Sequence, residues 1–522
     1  MTKRFLHPVI RVLVFCPPPQ LERLGAQLGL LETLRTHKKD EPIKLSRTVR
    51  QRALRFHLIF AHTVEEARQA LTREYFNVLV VDCSDLQNGS PDKGRIFALH
   101  RAMRTAPSLH SFLPWRWERT LALLPDDPKA IASAFEVGRL GIGGYELLPT
   151  TAAVFFEAVT GVVEQRAEVG KTAICLAGGG IEGLIYEMGV LSALDTALEG
   201  RSILDFDIFC GISAGAILSC TLANGVPPEE FIKAFEKDSS AIAPIDQGVI
   251  FDFDYREYLS RVAHMVSGVG RLKKGLAGLM ALSLRSIPVG FFAGDRIYQH
   301  VVSELKRAGR TADFRKLKKE LYIGATDQDT AEHIVFGDRG WDDVPIPDAV
   351  RASMALVPFY SPKWIRGRWF VDGSYTRTSE LDVAVQKGAK LVIIIDPLVP
   401  VRSTVSGYVK AKGGVFGGIQ GLKSLVHTRF SEGMLRALEL YPDVDFYIFK
   451  PEQDDMRLMS GSPLKYNFRM EIQRLAYLRT LERIQEDLVR MESEWSRHGF
   501  HFNPKRIKSV LSAHDDMHGP GL

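Results

Sequence analysis

The sequence predicts an α/β protein built from a doubly wound N-terminal domain, a second α/β domain and a mostly helical C-terminal extension. Three observations predict this. Strands alternate with helices over roughly the first 150 residues, the pattern of a parallel sheet covered on both faces. Two later strands run into helices through glycine-marked turns, Gly178–Gly183 and Gly211–Gly215. From about residue 401 the apolar spacing turns helical, with Tyr477, Leu481, Ile484, Leu488 and Met491 on one stripe.

The elements follow in order. Residues 9–16 read as a first strand, followed by a helical segment and a basic stretch at 38–55. Residues 56–60 form a strand, and 63–74 a helix capped by Thr63 with Glu66 three residues on. Residues 78–81 form a strand ending at Asp82; 121–124 and 144–148 are the fourth and fifth strands. Helices at 128–138 and 150–165 complete the unit, and the charged stretch 164–171 marks a boundary. The expected domains are 1–165, 170–400 and 401–522, the last with a mobile Gly-rich stretch at 412–421 and a frayed tail after Pro504.

Composition narrows the function. A chain of 522 residues with 45% hydrophobic and 25% charged residues is ordinary for a globular protein. A net charge of +5 is small for this length and gives no reason to expect nucleic acid. Five cysteines, Cys16, Cys83, Cys175, Cys210 and Cys220, lie mostly in apolar runs, so buried free thiols in a reducing, cytoplasmic setting are expected. No Cys/His cluster has metal-ligand spacing. No run of about 18 apolar residues is present to span a bilayer, and residues 10–16 are too short for a signal sequence.

The chemistry concentrates in the second domain. Gly211-Ile212-Ser213-Ala214-Gly215 has the form Gly-x-Ser-x-Gly between a strand and a helix. Small Gly211 and Gly215 relieve the crowding of a sharp turn, which lifts the Ser213 hydroxyl clear of the backbone. With 44 glycines in the chain the pentapeptide alone has little specificity, and a glycine-rich turn around a buried serine is the other reading. Upstream, 172–177 is a strand that runs into Gly178-Gly179-Gly180-Ile181-Glu182-Gly183. Such a turn aims unpaired N–H groups of a helix N-terminus at an anion. The anion is either a dinucleotide pyrophosphate, since Gly178-x-Gly180-x-x-Gly183 fits that fingerprint, or the oxyanion of acyl transfer. The next strand ends in the Ser213 turn and not in an acid, which favours acyl transfer. About 160 residues on, a strand ends in Asp372-Gly373-Ser374, placing a carboxylate where it can take the serine proton; a plain turn-forming Asp-Gly is the alternative. Between these motifs, 269–292 mixes apolar residues with cations, as an interfacial segment or lid would, or a core helix with a basic face.

These three motifs, in this order, resemble the patatin-like phospholipase family over about 170–400, with the region near 441–445 included. The resemblance implies an α/β fold and a serine lipid acyl hydrolase of phospholipase A or esterase type. It implies Ser213 and Asp372 as a catalytic dyad without histidine, with His333 and His300 the histidines to check. It implies an oxyanion hole from Gly178, Gly179, Gly180, Gly183 and Ala214, an elbow from Gly211 and Gly215, and a third turn from Gly373 and Ser374. The substrate would be a lipid ester or phospholipid, with no cofactor and with peripheral membrane contact through 269–292. An acyltransferase with the same dyad and a non-catalytic lipid- or partner-binding protein are the alternatives; a dinucleotide-binding protein rests on the glycine loop alone. Glu182 departs from the family's frequent arginine, and Ser374 from its glycine or alanine, the latter with little effect expected. The N-terminal order resembles a response-regulator receiver domain of flavodoxin-like fold. Asp82 and Asp85 stand as candidate acceptors, but Phe15, Cys16 and Leu148 stand where a receiver's metal-binding acids and lysine would be. A degenerate module for self-association or a regulatory partner is expected.

Overall fold

In the computed structural model the chain forms two compact units, residues 1–169 with 440–443 and 487–501, and residues 170–439 with 444–486 and 502–522. The structure describes residues 9–36, 41–50, 52–86, 94–105, 115–165, 169–255, 257–261, 263, 289–452, 455 and 469–518. Most of the interfacial segment expected at 269–292, residues 269–288, lies outside them.

The first unit is built on a six-stranded sheet of β1 (Val9–Phe15), β2 (Ile43–Val49), β3 (Arg52–Ala61), β4 (Val78–Asp82), β5 (Thr120–Pro125) and β6 (Gly144–Leu148), in the order β2-β3-β1-β4-β5-β6. All neighbours pair in parallel except β2, which is antiparallel to β3. Alternate side chains point to opposite faces. Val12, Val14, Phe56, Leu58, Val80 and Leu123 pack one face against Phe155 and Phe156 of the helix Ala152–Gln165. Leu13, Phe15, Leu79, Val81 and Ala122 pack the other against the helices Val64–Arg73, Arg95–Thr105 and Ala130–Gly138. Burial on both faces is why these strands read as continuous apolar runs. Thr63 caps its helix by accepting from Glu66 N–H at 3.1 Å. The basic stretch at 38–55 departs from the reading: it holds β2 and the start of β3, an edge hairpin with Lys44, Arg47 and Thr48 in water.

The second unit has an eight-stranded sheet, with β7 (Lys171–Leu176) between β8 (Ile208–Ile212) and β13 (Ala389–Ile395), and β14 (Asp445–Phe449) beyond β13, all parallel. On the other side β9 (Glu320–Asp327) pairs in parallel with β8 through residues 320–324. Its last residues pair antiparallel with β12 (Arg368–Asp372), which in turn pairs with β11 (Lys363–Ile365). β10 (His333–Phe336) pairs with 323–326 of β9. Because β10 occupies one edge of β9 there, β8 and β12 must share the other edge end to end. Ile212 at the tip of β8 pairs with Gly324, and Asp372 at the tip of β12 pairs with Ala325, one residue further along the same strand. This register brings the end of the Ser213 strand to the end of the Asp372 strand.

The helix Gly180–Ala197 is buried throughout 181–194 between sheet and neighbouring helices. At Gly189 the helix Arg469–Glu486 crosses so closely that a Cβ would lie 2.5 Å from the Gln473 carbonyl. Residues 401–522 do not form one helical extension. β14 completes the second sheet, and 487–501 belong to the first unit, so the stripe from Tyr477 to Met491 is divided, with a break between the helices Arg469–Glu486 and Leu488–Trp495. The Gly-rich stretch at 412–421 lies in the helix Gly413–Leu440. Lys423, Val426, Phe430, Met434 and Ala437 form a buried stripe further along that helix, and such packing outweighs the roughly 1 kcal/mol per glycine of lost propensity. The tail after Pro504 is the helix Pro504–His518, whose start is fixed by Asn503 accepting from Arg506 N–H at 3.0 Å.

Candidate active site

Ser213 stands between β8 and the helix Ala214–Ala223 at φ 56° and ψ −122°, a conformation that costs a non-glycine residue roughly 1–3 kcal/mol. Its neighbours over-determine it. The Ser213 N–H donates to Ser353 Oγ at 2.8 Å, and that hydroxyl donates to the Gly324 carbonyl at 2.6 Å. A Cβ on Gly215 would lie 2.5 Å from the Leu176 carbonyl, and one on Gly211 would lie 2.4 Å from the Gly215 carbonyl. Both glycines are therefore needed for the close approach of turn, helix and β7.

The glycine loop reaches the same place. A Cβ on Gly178 would meet Ser213 Cβ at 3.0 Å and Ser374 Oγ at 3.4 Å. Gly179 precedes the first residue of the helix Gly180–Ala197, and Gly180 lines the same cleft as Ser213 and Ala214. The first N–H groups of the helices starting at Gly180 and Ala214 have no acceptor within their own helices. Gly183 departs from the reading that groups it with the anion-binding donors. Its N–H is spent on the Gly179 carbonyl at 3.0 Å, and a Cβ there would lie 2.9 Å from Pro397 Cγ, so its role is packing. Glu182 is buried, and its charge acts on Lys423 of the helix Gly413–Leu440, whose pKa burial lowers and Glu182 partly restores.

Asp372 has no solvent exposure. Its Oδ1 accepts from the Ser374 N–H at 2.9 Å and also from the Ser374 hydroxyl. Ser374 thus does more than fit its turn: its hydroxyl occupies one carboxylate oxygen, contrary to the little effect expected from sequence. Burial raises the Asp372 pKa, while the Ser213 hydroxyl, the Ser374 hydroxyl and the Ser374 N–H oppose the rise. Ser213 is thus near enough to act on the carboxylate, yet Oδ2 takes no hydrogen bond of ordinary geometry from a described residue. Arg429, from the helix Gly413–Leu440, donates to the Ser374 and Tyr375 carbonyls at 2.6 and 2.7 Å and braces the turn.

Ser213 opens onto a cleft. Ile181, Leu184, Ile217, Ile250, Leu356 and Phe359 give it apolar walls, with Tyr360 and His300 among the lining residues. Tyr360 turns its hydroxyl to the Ile250 carbonyl at 3.0 Å. His333 is engaged elsewhere, with Nδ1 2.6 Å from Thr376 Oγ1 and Nε2 2.6 Å from Glu380 Oε1. Sequence reasoning singled out Ser213, Asp372 and the glycine loop as candidates. It assigned no role to the hydroxyl of Ser353 or to the guanidinium of Arg429.

The five cysteines are buried and free. Among the described residues no helix is long and apolar enough to cross a membrane, and no three His, Cys, Asp or Glu side chains gather as a metal site.

Comparison with known proteins gives the site a context. An uncharacterised protein of Acanthamoeba polyphaga mimivirus is 28% identical over 202 residues, 37% of this chain and 51% of that one. A cGAMP-activated phospholipase of Pseudomonas aeruginosa is 44% identical over 70 residues, 13% of this chain and 20% of that one. The chain therefore spans about half of one curated relative and a fifth of the other. The crystal structure of VipD from Legionella pneumophila aligns with 67% of this chain and 76% of its own at 15% identity, with a TM-score of 0.28, too distant a likeness for an argument about fold. Residues 174–385 match the family model of the patatin-like phospholipases, and this span covers the glycine loop, the Ser213 turn and Asp372. The chain therefore carries a patatin-like phospholipase domain at residues 174–385.

Proposed function

We propose that the second unit is a serine lipid acyl hydrolase of phospholipase A or esterase type, acting on a lipid ester or phospholipid through a Ser213–Asp372 dyad. The observation that carries this reading is the combination at one point: a serine held in a strained turn, beside a buried carboxylate with an open Oδ2, at an apolar cleft. Ser213 Oγ attacks the ester carbonyl carbon and its proton passes to Asp372 Oδ2. The carbonyl oxygen becomes an oxyanion and accepts hydrogen bonds from the N–H groups of Gly179, Gly180 and Ala214. One such donor is worth roughly 10²–10³ in kcat. Collapse breaks the bond to the alcohol, which leaves with the proton from Asp372. Water then attacks the acyl-enzyme, Asp372 takes its proton, and Ser213 regains that proton as the fatty acid departs. The acyl chain lies in the apolar cleft. This chemistry needs no metal or organic cofactor.

The test is labelling with a fluorophosphonate. The wild-type chain should gain one adduct on Ser213, and Ser213→Ala should gain none. Labelling of another residue alone, or of none, refutes the assignment.

We also propose that the first unit is a degenerate receiver-like module that serves association with itself or a partner rather than phosphorylation. The parallel order β3-β1-β4-β5-β6 supports it, as does the environment of Asp82. Arg95 Nη1 lies 2.8 Å from Asp82 Oδ2, and Ser84 donates to both carboxylate oxygens at 3.1 Å. The carboxylate is thus already paired with a cation and two donors. From the sequence we further propose a cytoplasmic location and membrane contact through 269–292.

A further inference from the structure

The helix Asp295–Leu305 carries His300 into the wall of the apolar cleft. A second, much smaller cavity lies behind that wall. Ile217, His300 and Val301 line both spaces, so these three side chains form the partition between them. We infer that His300 is the stop that sets acyl-chain length, and that the rear cavity is a latent subsite for the distal methylenes of longer fatty acyl chains. This rests on the acyl-hydrolase reading above.

The chemistry of the rear cavity favours an unfunctionalised chain. Its polar residues are already satisfied: Arg310 Nη1 pairs with Glu304 Oε2 at 2.7 Å, Arg310 Nη2 donates to the Ala241 carbonyl at 2.6 Å, and Asn224 Oδ1 accepts from Thr311 N–H at 2.8 Å. What is left to meet a ligand is apolar surface, from Phe231, Ile242 and Leu305. The partition suits the same ligand. Burial lowers the His300 pKa below the ordinary histidine value, so the ring is neutral at pH 7 and sits beside methylenes without the cost of a buried charge. Among the described residues no side chain or backbone group hydrogen-bonds to the imidazole, so shortening it orphans no partner. A methylene moved from water into apolar surroundings is worth about fourfold in an equilibrium or a kcat/KM. A chain that stops at His300 collects that factor for each methylene up to the ring and none beyond.

The experiment compares kcat/KM for butanoyl, octanoyl, dodecanoyl and hexadecanoyl esters. In the wild type kcat/KM should rise with chain length and then level off or fall. In His300→Ala the hexadecanoyl-to-octanoyl ratio should rise by about tenfold or more, as two or more further methylenes gain the fourfold factor. His300→Phe, which keeps a ring in the partition, should retain the wild-type ratio. Val301→Ala thins the same wall and should shift the ratio in the same direction, which carries the test if His300→Ala does not fold. An unchanged ratio in the folded opening variant, or a wild-type rate that climbs without a break through the longest ester, overturns the inference. Displacement of a fluorescent fatty acid from Ser213→Ala protein separates the two readings. A length break in binding without ester turnover by the wild type sinks the hydrolase and keeps the stop; turnover without a break does the reverse.

Discussion

Ser353→Ala is the substitution that most directly asks whether the strained serine turn is held from outside its own chain segment. Ser353 has no solvent exposure, and its hydroxyl bridges the Ser213 N–H and the Gly324 carbonyl at 2.8 and 2.6 Å. Alanine removes both bonds and leaves two buried backbone groups unpaired. Each orphan costs about 1–3 kcal/mol, so a loss of about 2–5 kcal/mol is expected once some relaxation is allowed. The catalytic effect follows from the same bond. Ser213 holds φ 56° at a cost of roughly 1–3 kcal/mol, and without its N–H acceptor the turn can relax and carry Oγ off line. Displacement by about 1 Å is worth roughly 10² in rate, so kcat should fall about a hundredfold while KM changes little. The assay is urea unfolding together with steady-state kinetics, with Ser219→Ala as the control. Ser219 is equally buried but donates only to the Ala216 carbonyl of its own helix, at 3.3 Å, and its loss should cost about 1 kcal/mol or less. If Ser353→Ala unfolds at the urea concentration of the control and keeps its kcat, the bridging role is refuted.

Three further outcomes are expected. Ser213→Ala and Asp372→Asn should each abolish ester turnover, and the double variant should lose little more than either, because residues that act as one unit are not additive; additive losses would separate them. Ser374→Ala should move the acid limb of kcat against pH upward: the hydroxyl donates to the ionised carboxylate and opposes the rise caused by burial, so its removal raises the Asp372 pKa further and leaves less ionised base at a given acidic pH. A limb that stays put, with kcat lowered evenly at all pH values, would mean that Ser374 acts on structure alone. Incubation with acetyl phosphate and Mg²⁺ should leave the intact mass unchanged, since Arg95 already pairs with Asp82; a phosphate adduct mapped to Asp82 or Asp85 would restore a phosphorylation switch.

The sequence was most legible where one local cause decides the structure. Val78–Asp82 is a strand buried on both faces, and such a strand announces itself as an apolar run. The glycines around Ser213 are legible for a similar reason, since a turn that tight tolerates no Cβ. Ile43–Val49 hides because an edge strand in water has neither period, with only its terminal residues buried. The helix Gly413–Leu440 was obscured by its opening glycines, because the stripe that stabilises it begins only at Lys423. The helix after Pro504 looked like a frayed tail, although Asn503 before a proline is a recognisable helix start.

The candidate site divides along the same line. Ser213 and Asp372 each sit in a motif that a reader of the chain can find, but nothing in either motif says that they meet. That follows from strand register: β8 ends against Gly324 and β12 against Ala325, on one edge of β9. The groups that hold the meeting come from still further away. Ser353 reaches the serine turn from 140 residues downstream, and Arg429 reaches the Ser374 carbonyl across 55. Neither the serine in its short helix nor the arginine on its long one shapes its own segment, so the sequence assigns neither of them this task. The helix bearing Arg429 also lies outside the matched family segment 174–385, so the brace on the Asp372 turn belongs to this chain's own C-terminal part. Motifs in this protein therefore name the proposed reacting groups, and part of the packing that fixes their geometry comes from residues far from them in sequence.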